Sequence, residues 1–483
     1  MKKLSLVIAF FFLLCSFTYS GCKTGQNNRT AYDIEISLDG KTVYGKQTVT
    51  YYNGTETSLK ELKFNLFANA FRQGAAFSPV SAGHVAQSYY CGVNYGNMVI
   101  NEVKSGGRDL EFEICGQDAN ILSVKLNEEL FPEEKVEVFI DFTVNLANVI
   151  SRTGVNENTI NLANFYPILC ARCEHGFYEC VYYSSGDPFY SDCADYKVKI
   201  IADQKLVVAA SGKLTETAVE NGKTINCYSV KNARSFAFVL SENFSVLTEQ
   251  VDDVEINYYY YNDAAPQDSM QYAVKSMNYF EKTFGEYPYS TYSVVQTEFV
   301  QGGMEFPGLV MISNGLDTRS YGEVIVHETA HQWWQSVVGN NEIEFGFLDE
   351  GLAEYSVVLF YENHPEYNLS RQVLIKSAEE TFKVFCTVSD KLFGKVDTSM
   401  LRSLKDFKSE YEYVNMAYIK PCIMYDTLRT TLGEDRFFKG LKRYYETYKF
   451  KNVVPDDLVG VFEKIGADSN GFFQSFFDGT AII

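Results

Sequence analysis

The sequence predicts a multidomain α and β protein, with an antiparallel β domain in its first half and an α-rich domain with a small sheet in its second. Three observations predict this. Hydropathy alternates with period two from residue 30 to about 245, then changes to a helical period. The chain of 483 residues, 46% hydrophobic, is long enough for two to three packed domains. Its 15% aromatic content carries more apolar surface than a disordered chain does.

Residues 1–22 read as an export leader. Lys2 and Lys3 supply a positive start, and residues 4–17 form an apolar run too short for a membrane span but suited to a signal peptide. The run closes in Tyr19-Ser20-Gly21-Cys22, a small residue before cysteine that resembles a bacterial lipoprotein cleavage site. Tyr19 stands where such sites usually carry leucine. The expectation is an exported chain, extracellular or at the cell surface, anchored to the membrane through a lipid on Cys22, with simple secretion or an uncleaved anchor as the alternatives.

The β domain is expected over 27–247. Tyr32, Ile34, Ile36 and Leu38 alternate with polar residues, and Asp39-Gly40 turns the chain into a second strand at 43–52. Similar runs recur at 122–126, 136–144, 196–201 and 235–240. The α-rich domain is expected over 248–483. Met270, Val274, Met277 and Phe284 share one stripe of a helix at 266–284 that Gly285 ends. A strand at 292–300 follows, then helices at 319–338, closed by Gly339, and at 350–362. Further helical patterns lie at 369–385, 417–432, 435–448 and 455–465.

Charge and cysteine content narrow the function. The formal net charge of −20 repels phosphate backbones and argues against nucleic acid as a partner. Of 11 cysteines, nine lie beyond Cys22, and an odd number cannot all pair within one chain. Cys170, Cys173, His175, Cys180 and Cys193 cluster in sequence, but their spacing fits no common zinc module, so loop cysteines without metal are expected there.

The chemistry is carried by His327-Glu328-Thr329-Ala330-His331. Residues four apart share a helix face, so both imidazoles can hold one zinc ion, and Glu328 can serve as general base towards the attacking water. The alternative is two surface histidines on an amphipathic helix, but only five histidines occur in the chain. A catalytic zinc needs a third protein ligand. Glu350, separated from His331 by eighteen residues and on the next predicted helix, is placed to supply it, although an acid there also suits a helix N-terminus.

His-Glu-x-x-His, eighteen residues and Glu resembles the aminopeptidase N-like family of gluzincins, which includes leukotriene hydrolase. So do His331-Gln332-Trp333-Trp334, Val338-Gly339-Asn340 and Leu348-Asp349-Glu350-Gly351. Gly302-Gly303-Met304-Glu305 is similar to that family's exopeptidase motif, and Tyr418-Ile419-Lys420 to its catalytic-tyrosine segment. Asp187-Pro188-Phe189-Tyr190 and Ala194-Asp195-Tyr196 resemble a stretch of its β domain.

The resemblance implies an N-terminal β-sandwich or saddle and a thermolysin-like catalytic domain with one zinc on His327, His331 and Glu350. It also implies an aminopeptidase acting on peptides with a free N-terminus. Glu305 would pair with the α-ammonium, and Gly302, Gly303 and Met304 would lie along the substrate backbone. Tyr418 would stabilise the oxyanion, with Tyr413 a second candidate. Glu354, one turn after Glu350, is either a group that orients a ligand histidine or a solvated carboxylate. Phe306 replaces the motif's asparagine, and no second amine-binding residue is identifiable near 165–170. The family's large C-terminal helical domain has no counterpart before Ile483, which predicts an open cleft tolerant of longer peptides. Two alternatives remain: a zinc hydrolase of other specificity, either an endopeptidase or an epoxide hydrolase, and a non-catalytic exported binding protein.

Overall fold

The structure is a computed structural model that describes residues 29–173, 176–466 and 470–483. The leader at 1–22 with Cys22, and His175 of the cysteine cluster, lie outside the described residues. Among the described residues no helix is long and apolar enough to cross a membrane.

Alternation builds the β half as the sequence leads one to expect. Ala31–Asp39 buries every second side chain, turns at Gly40, and pairs antiparallel with Thr42–Tyr52. These strands sit inside an eight-stranded sheet whose inner face is closed by smaller sheets, including the strands Leu59–Asn65 and Ile121–Leu130. One pairing departs from the expected antiparallel pattern: Ala31–Asp39 lies parallel to Ala194–Asp203. Local periodicity places a strand's faces but says nothing about which distant strand it meets.

The second half opens with a five-stranded sheet. Ser245–Val251, which straddles the expected boundary at 247/248, pairs with Val254–Tyr260, followed by Thr291–Thr297, Leu309–Ser313 and the short edge strand Gly303–Met304. The helix Pro266–Phe284 packs on it through Met270, Ala273, Met277 and Phe280, all fully buried, while Val274 is only partly buried. The metal-motif helix is Thr318–Ala330, capped by Asp317, whose side chain accepts from the backbone N–H groups of Arg319 and Ser320. A second helix, Phe347–Asn363, is buried along most of its length.

The expected helix at 319–338 is eight residues too long. It ends at Ala330 because the chain reverses around Gln335, at φ 140°, and then runs as a short strand, Val338–Asn340, beside Lys451–Val453. The reversal buries Trp333 and Trp334. Their indole N–H groups donate to Gly285 O (2.8 Å) and Ser356 Oγ (3.1 Å). Apolar spacing alone cannot separate a continued helix from two buried tryptophans on a turn.

Candidate active site

The metal-motif helix and the Glu350 helix pack directly on one another, and His327, His331 and Glu350 meet at their contact. Glu350 Oε2 lies 3.3 Å from His327 Nε2 and 3.1 Å from His331 Nε2, and the two Nε2 atoms are 3.0 Å apart. The outer ring nitrogens are already engaged. His331 Nδ1 donates to Trp334 O at 2.9 Å, and His327 Nδ1 lies 3.3 Å from Glu354 Oε2. Both Nε2 atoms therefore present lone pairs to each other, an arrangement that is repulsive unless a cation lies between them.

Two imidazoles and a carboxylate are the donor set of a catalytic zinc, and tetrahedral bonds near 2.1 Å would set donor atoms about 3.4 Å apart. The residues fit that ion. Glu354, placed in sequence analysis as a candidate orienting group, occupies that position, one turn after Glu350. Burial works to raise the Glu350 carboxyl, but the two imidazoles outweigh it and hold it at about 2.

Glu328 is buried at the floor of the same cavity, which has a volume of about 510 Å³. Burial pushes its carboxyl up to about 7, and its Oε2 has no hydrogen-bond partner. A β-carbon at Gly303 would sit 2.3 Å from Glu328 Oε1, so glycine is needed there to make room for that carboxylate. Gly302 and Glu305 also line the cavity, while Met304 pairs with Met311 and turns inward. Gly303–Met304 has a neighbour on one side only, leaving its other backbone edge free to take an extended chain.

The Glu305 segment is fastened to the metal-motif helix by the residue after His331. Gln332 Oε1 accepts from Gly308 N (2.8 Å), and its Nε2 donates to Phe306 O (3.2 Å). Glu305 is 4% exposed, its Oε1 is unpartnered, and burial followed by the nearby Asp187 drives its carboxyl well above the usual range. A buried carboxyl in that condition is ready to receive a cation.

Tyr418 lies in a single π turn, Asn415–Ile419, that leads into the helix Lys420–Leu432. Its ring stacks beside His327 at 5.9 Å between centroids, and its hydroxyl donates to Glu350 Oε1. Tyr413, five residues earlier, meets the Tyr418 ring at 5.9 Å and lines the same cavity. Lys420 faces away, donating to Thr398 O and Phe476 O at 2.6 Å each.

Two cavity residues escaped the sequence reading as site residues: Arg152 and Asp187. They form a buried ion pair, and Arg152 Nε reaches Met304 Sδ at 2.9 Å. Asp187 belongs to a stretch whose family likeness was visible, but nothing in the sequence pairs it with Arg152. The described cysteines form no disulfides. No cysteine group among the described residues is arranged to hold a metal.

Comparisons with known proteins agree with this geometry. Residues 269–478 match the peptidase family M1 domain. The chain is 23% identical over 425 residues to aminopeptidase N of Escherichia coli, covering 80% of this chain and 47% of that protein. It is 25% identical over 292 residues to mitochondrial aminopeptidase 2 of Saccharomyces cerevisiae, covering 55% of this chain and 29% of that one. The chain thus spans about half or less of the length of these curated relatives.

Its fold resembles the crystal structure of an M1 zinc metallopeptidase from Deinococcus radiodurans, with a TM-score of 0.68, 17% identity, and coverage of 95% of this chain and 96% of that one. A mutant of the Deinococcus enzyme bound to a Tyr-Ser-Ala substrate aligns with a TM-score of 0.66, at 16% identity and over 94% of this chain and 95% of that one.

Proposed function

Because the chain belongs to the aminopeptidase N-like family of zinc metallopeptidases, we propose that it is an exported zinc aminopeptidase that hydrolyses single residues from the free N-termini of peptides. The observation that carries this reading is Glu305. A buried carboxyl with an unpartnered oxygen lines the same cavity as the metal triad, beside an open strand edge.

In the proposed reaction, a peptide adds as a strand against Gly303–Met304, which fixes the scissile carbonyl relative to the metal triad. Its α-ammonium pairs with Glu305, which measures one residue from the cut. His327, His331 and Glu350 would hold the zinc ion, which would supply Lewis acidity for the attacking water and the scissile carbonyl. Glu328, raised towards neutrality by burial, takes the water's proton and returns it to the leaving amine. As negative charge builds on the carbonyl oxygen, Tyr418 turns its O–H from Glu350 to that oxygen.

The test is a series of fluorogenic amino-acid amides and their N-acetylated counterparts, assayed with chelator and after zinc add-back. The reading expects cleavage of free amines only, lost with chelator and restored by zinc, and a preference that Glu305→Ala abolishes. Equal cleavage of the acetylated series would favour an endopeptidase and overturn the aminopeptidase reading.

The leader pattern supports export, and Cys22 supports a lipid anchor at the membrane. Detergent-phase partitioning of the mature protein, lost in Cys22→Ser, tests the anchor.

A further inference from the structure

Lys420 carries a buried positive charge that the proposed reaction does not use. It is 1% exposed, and its Nζ donates to Thr398 O and Phe476 O at 2.6 Å each, with the Phe476 ring centroid 5.8 Å away. Burying an ammonium costs free energy that a methionine or leucine filling the same space would not. What the charge adds is direction, through two charge-assisted hydrogen bonds to separate segments of backbone.

Those segments lead back to the metal site. Residues 398–402 touch both flanks of the π turn Asn415–Ile419. Ahead of the turn, Arg402 Nη1 donates to Glu412 Oε1 at 2.7 Å; behind it, Thr398 O takes the Lys420 bond. The same stretch is fastened to the end of the chain. Thr398 Oγ1 donates to Gly479 O (3.0 Å), and Ser399 Oγ and Met400 N both donate to Phe477 O (2.9 Å each). Phe477 is buried against Phe347, the first residue of the Glu350 helix, with 5.3 Å between ring centroids.

A π turn holds one residue more than an α turn, so its relaxation to regular helix would swing Tyr418 by about 100° around the axis relative to the helix that follows. The Tyr418 hydroxyl donates to Glu350 Oε1, and its ring lies beside His327. A swing of that size would carry the phenol away from both. Lys420 is clamped immediately after the turn, where the register is decided.

We propose that Lys420 is a positioning residue for Tyr418: by joining Thr398 to Phe476, it holds the π turn in the register that points the phenol at the metal triad. The C-terminal helix Asn470–Phe477 thereby bears on the active site without lining it. The assignment rests on the role proposed for Tyr418 and reaches beyond it to the residues that aim it.

The test is a double-mutant cycle in the full zinc-loaded protein: the natural chain, Lys420→Met, Tyr418→Phe, and the two together. Turnover and KM are measured on the best substrate of the fluorogenic amide series, with zinc counted in each sample. Lys420→Met is expected to lower kcat about tenfold or more, with KM within about twofold and zinc still at one per chain, because the lost interaction belongs to the transition state. In the Tyr418→Phe background the same substitution should change kcat by less than about twofold, since no O–H is left to aim. An equal loss in both backgrounds, or an unchanged kcat in Lys420→Met, overturns the proposal and leaves the aminopeptidase reading standing. A natural kcat in Tyr418→Phe overturns it together with the role given to that tyrosine. Should Lys420→Met fail to fold, Lys420→Gln, which keeps an N–H donor without the charge, enters the same cycle under the same limits.

Discussion

Glu328 owes its place to a missing side chain across the cavity. Alanine at 303 would press its β-carbon against the Glu328 carboxylate, so Gly303→Ala is expected to lower kcat about tenfold or more while zinc content stays at one per chain. Glu328→Gln keeps the shape of the proposed base but cannot accept a proton. Its kcat should fall by about 10²–10⁴-fold with no change in zinc content, measured by metal analysis alongside turnover. At this scale the sequence was most informative, because a metal motif on one helix needs only local spacing. The pairing of Arg152 with Asp187 was hidden, since it joins segments whose contact depends on the finished fold.

At the scale of elements, the two helices that carry the ligands matter through what holds them. Glu354 lies one turn beyond Glu350 and fixes the His327 ring through its outer nitrogen. Replacing it with alanine is expected to weaken zinc binding about 10–100-fold, read from competition with a zinc chelator. Asp317 caps the metal-motif helix, and Asp317→Ala should lower the midpoint of chemical denaturation.

Helix starts were legible here because caps and apolar stripes are local. The end at Ala330 was not, because it depends on a positive-φ residue, Gln335, and on indole partners 22 and 48 positions away in the chain. The π turn holding Tyr418 was equally invisible: one extra residue in a helical turn leaves the apolar pattern almost unchanged.

For the molecule as a whole, titration behaviour reports on a buried amine. Burial lowers the Lys420 ammonium to about 8, against an ordinary value of 10.5. Between those values the unfolded chain binds the proton and the folded chain does not, so this group's contribution to stability rises with pH across that window. Buried tyrosines and cysteines with raised values act in the opposite direction there. The comparison with Lys420→Met isolates the effect: the stability difference between the two proteins should shift in favour of the natural one from pH 8 to 10, by urea unfolding at each pH. The class of each half was readable from periodicity, while the parallel partnership of Ala31–Asp39 with Ala194–Asp203 was not, since some 160 residues separate the two strands.

The β half also reaches across to the catalytic half. Arg234 donates to Gln335 O (2.6 Å), Lys451 O (2.7 Å) and the Asn452 side chain. Its guanidinium lies so close over Gly339 that a β-carbon there would fall 2.0 Å from its central carbon. The arginine thus grips the very reversal that ends the metal-motif helix. A catalytic half produced alone would leave three acceptors, one on that bend and two on the strand Lys451–Val453 beside it, without their donor, and swapping in a foreign β half would have to bring an equivalent cation to the same spot.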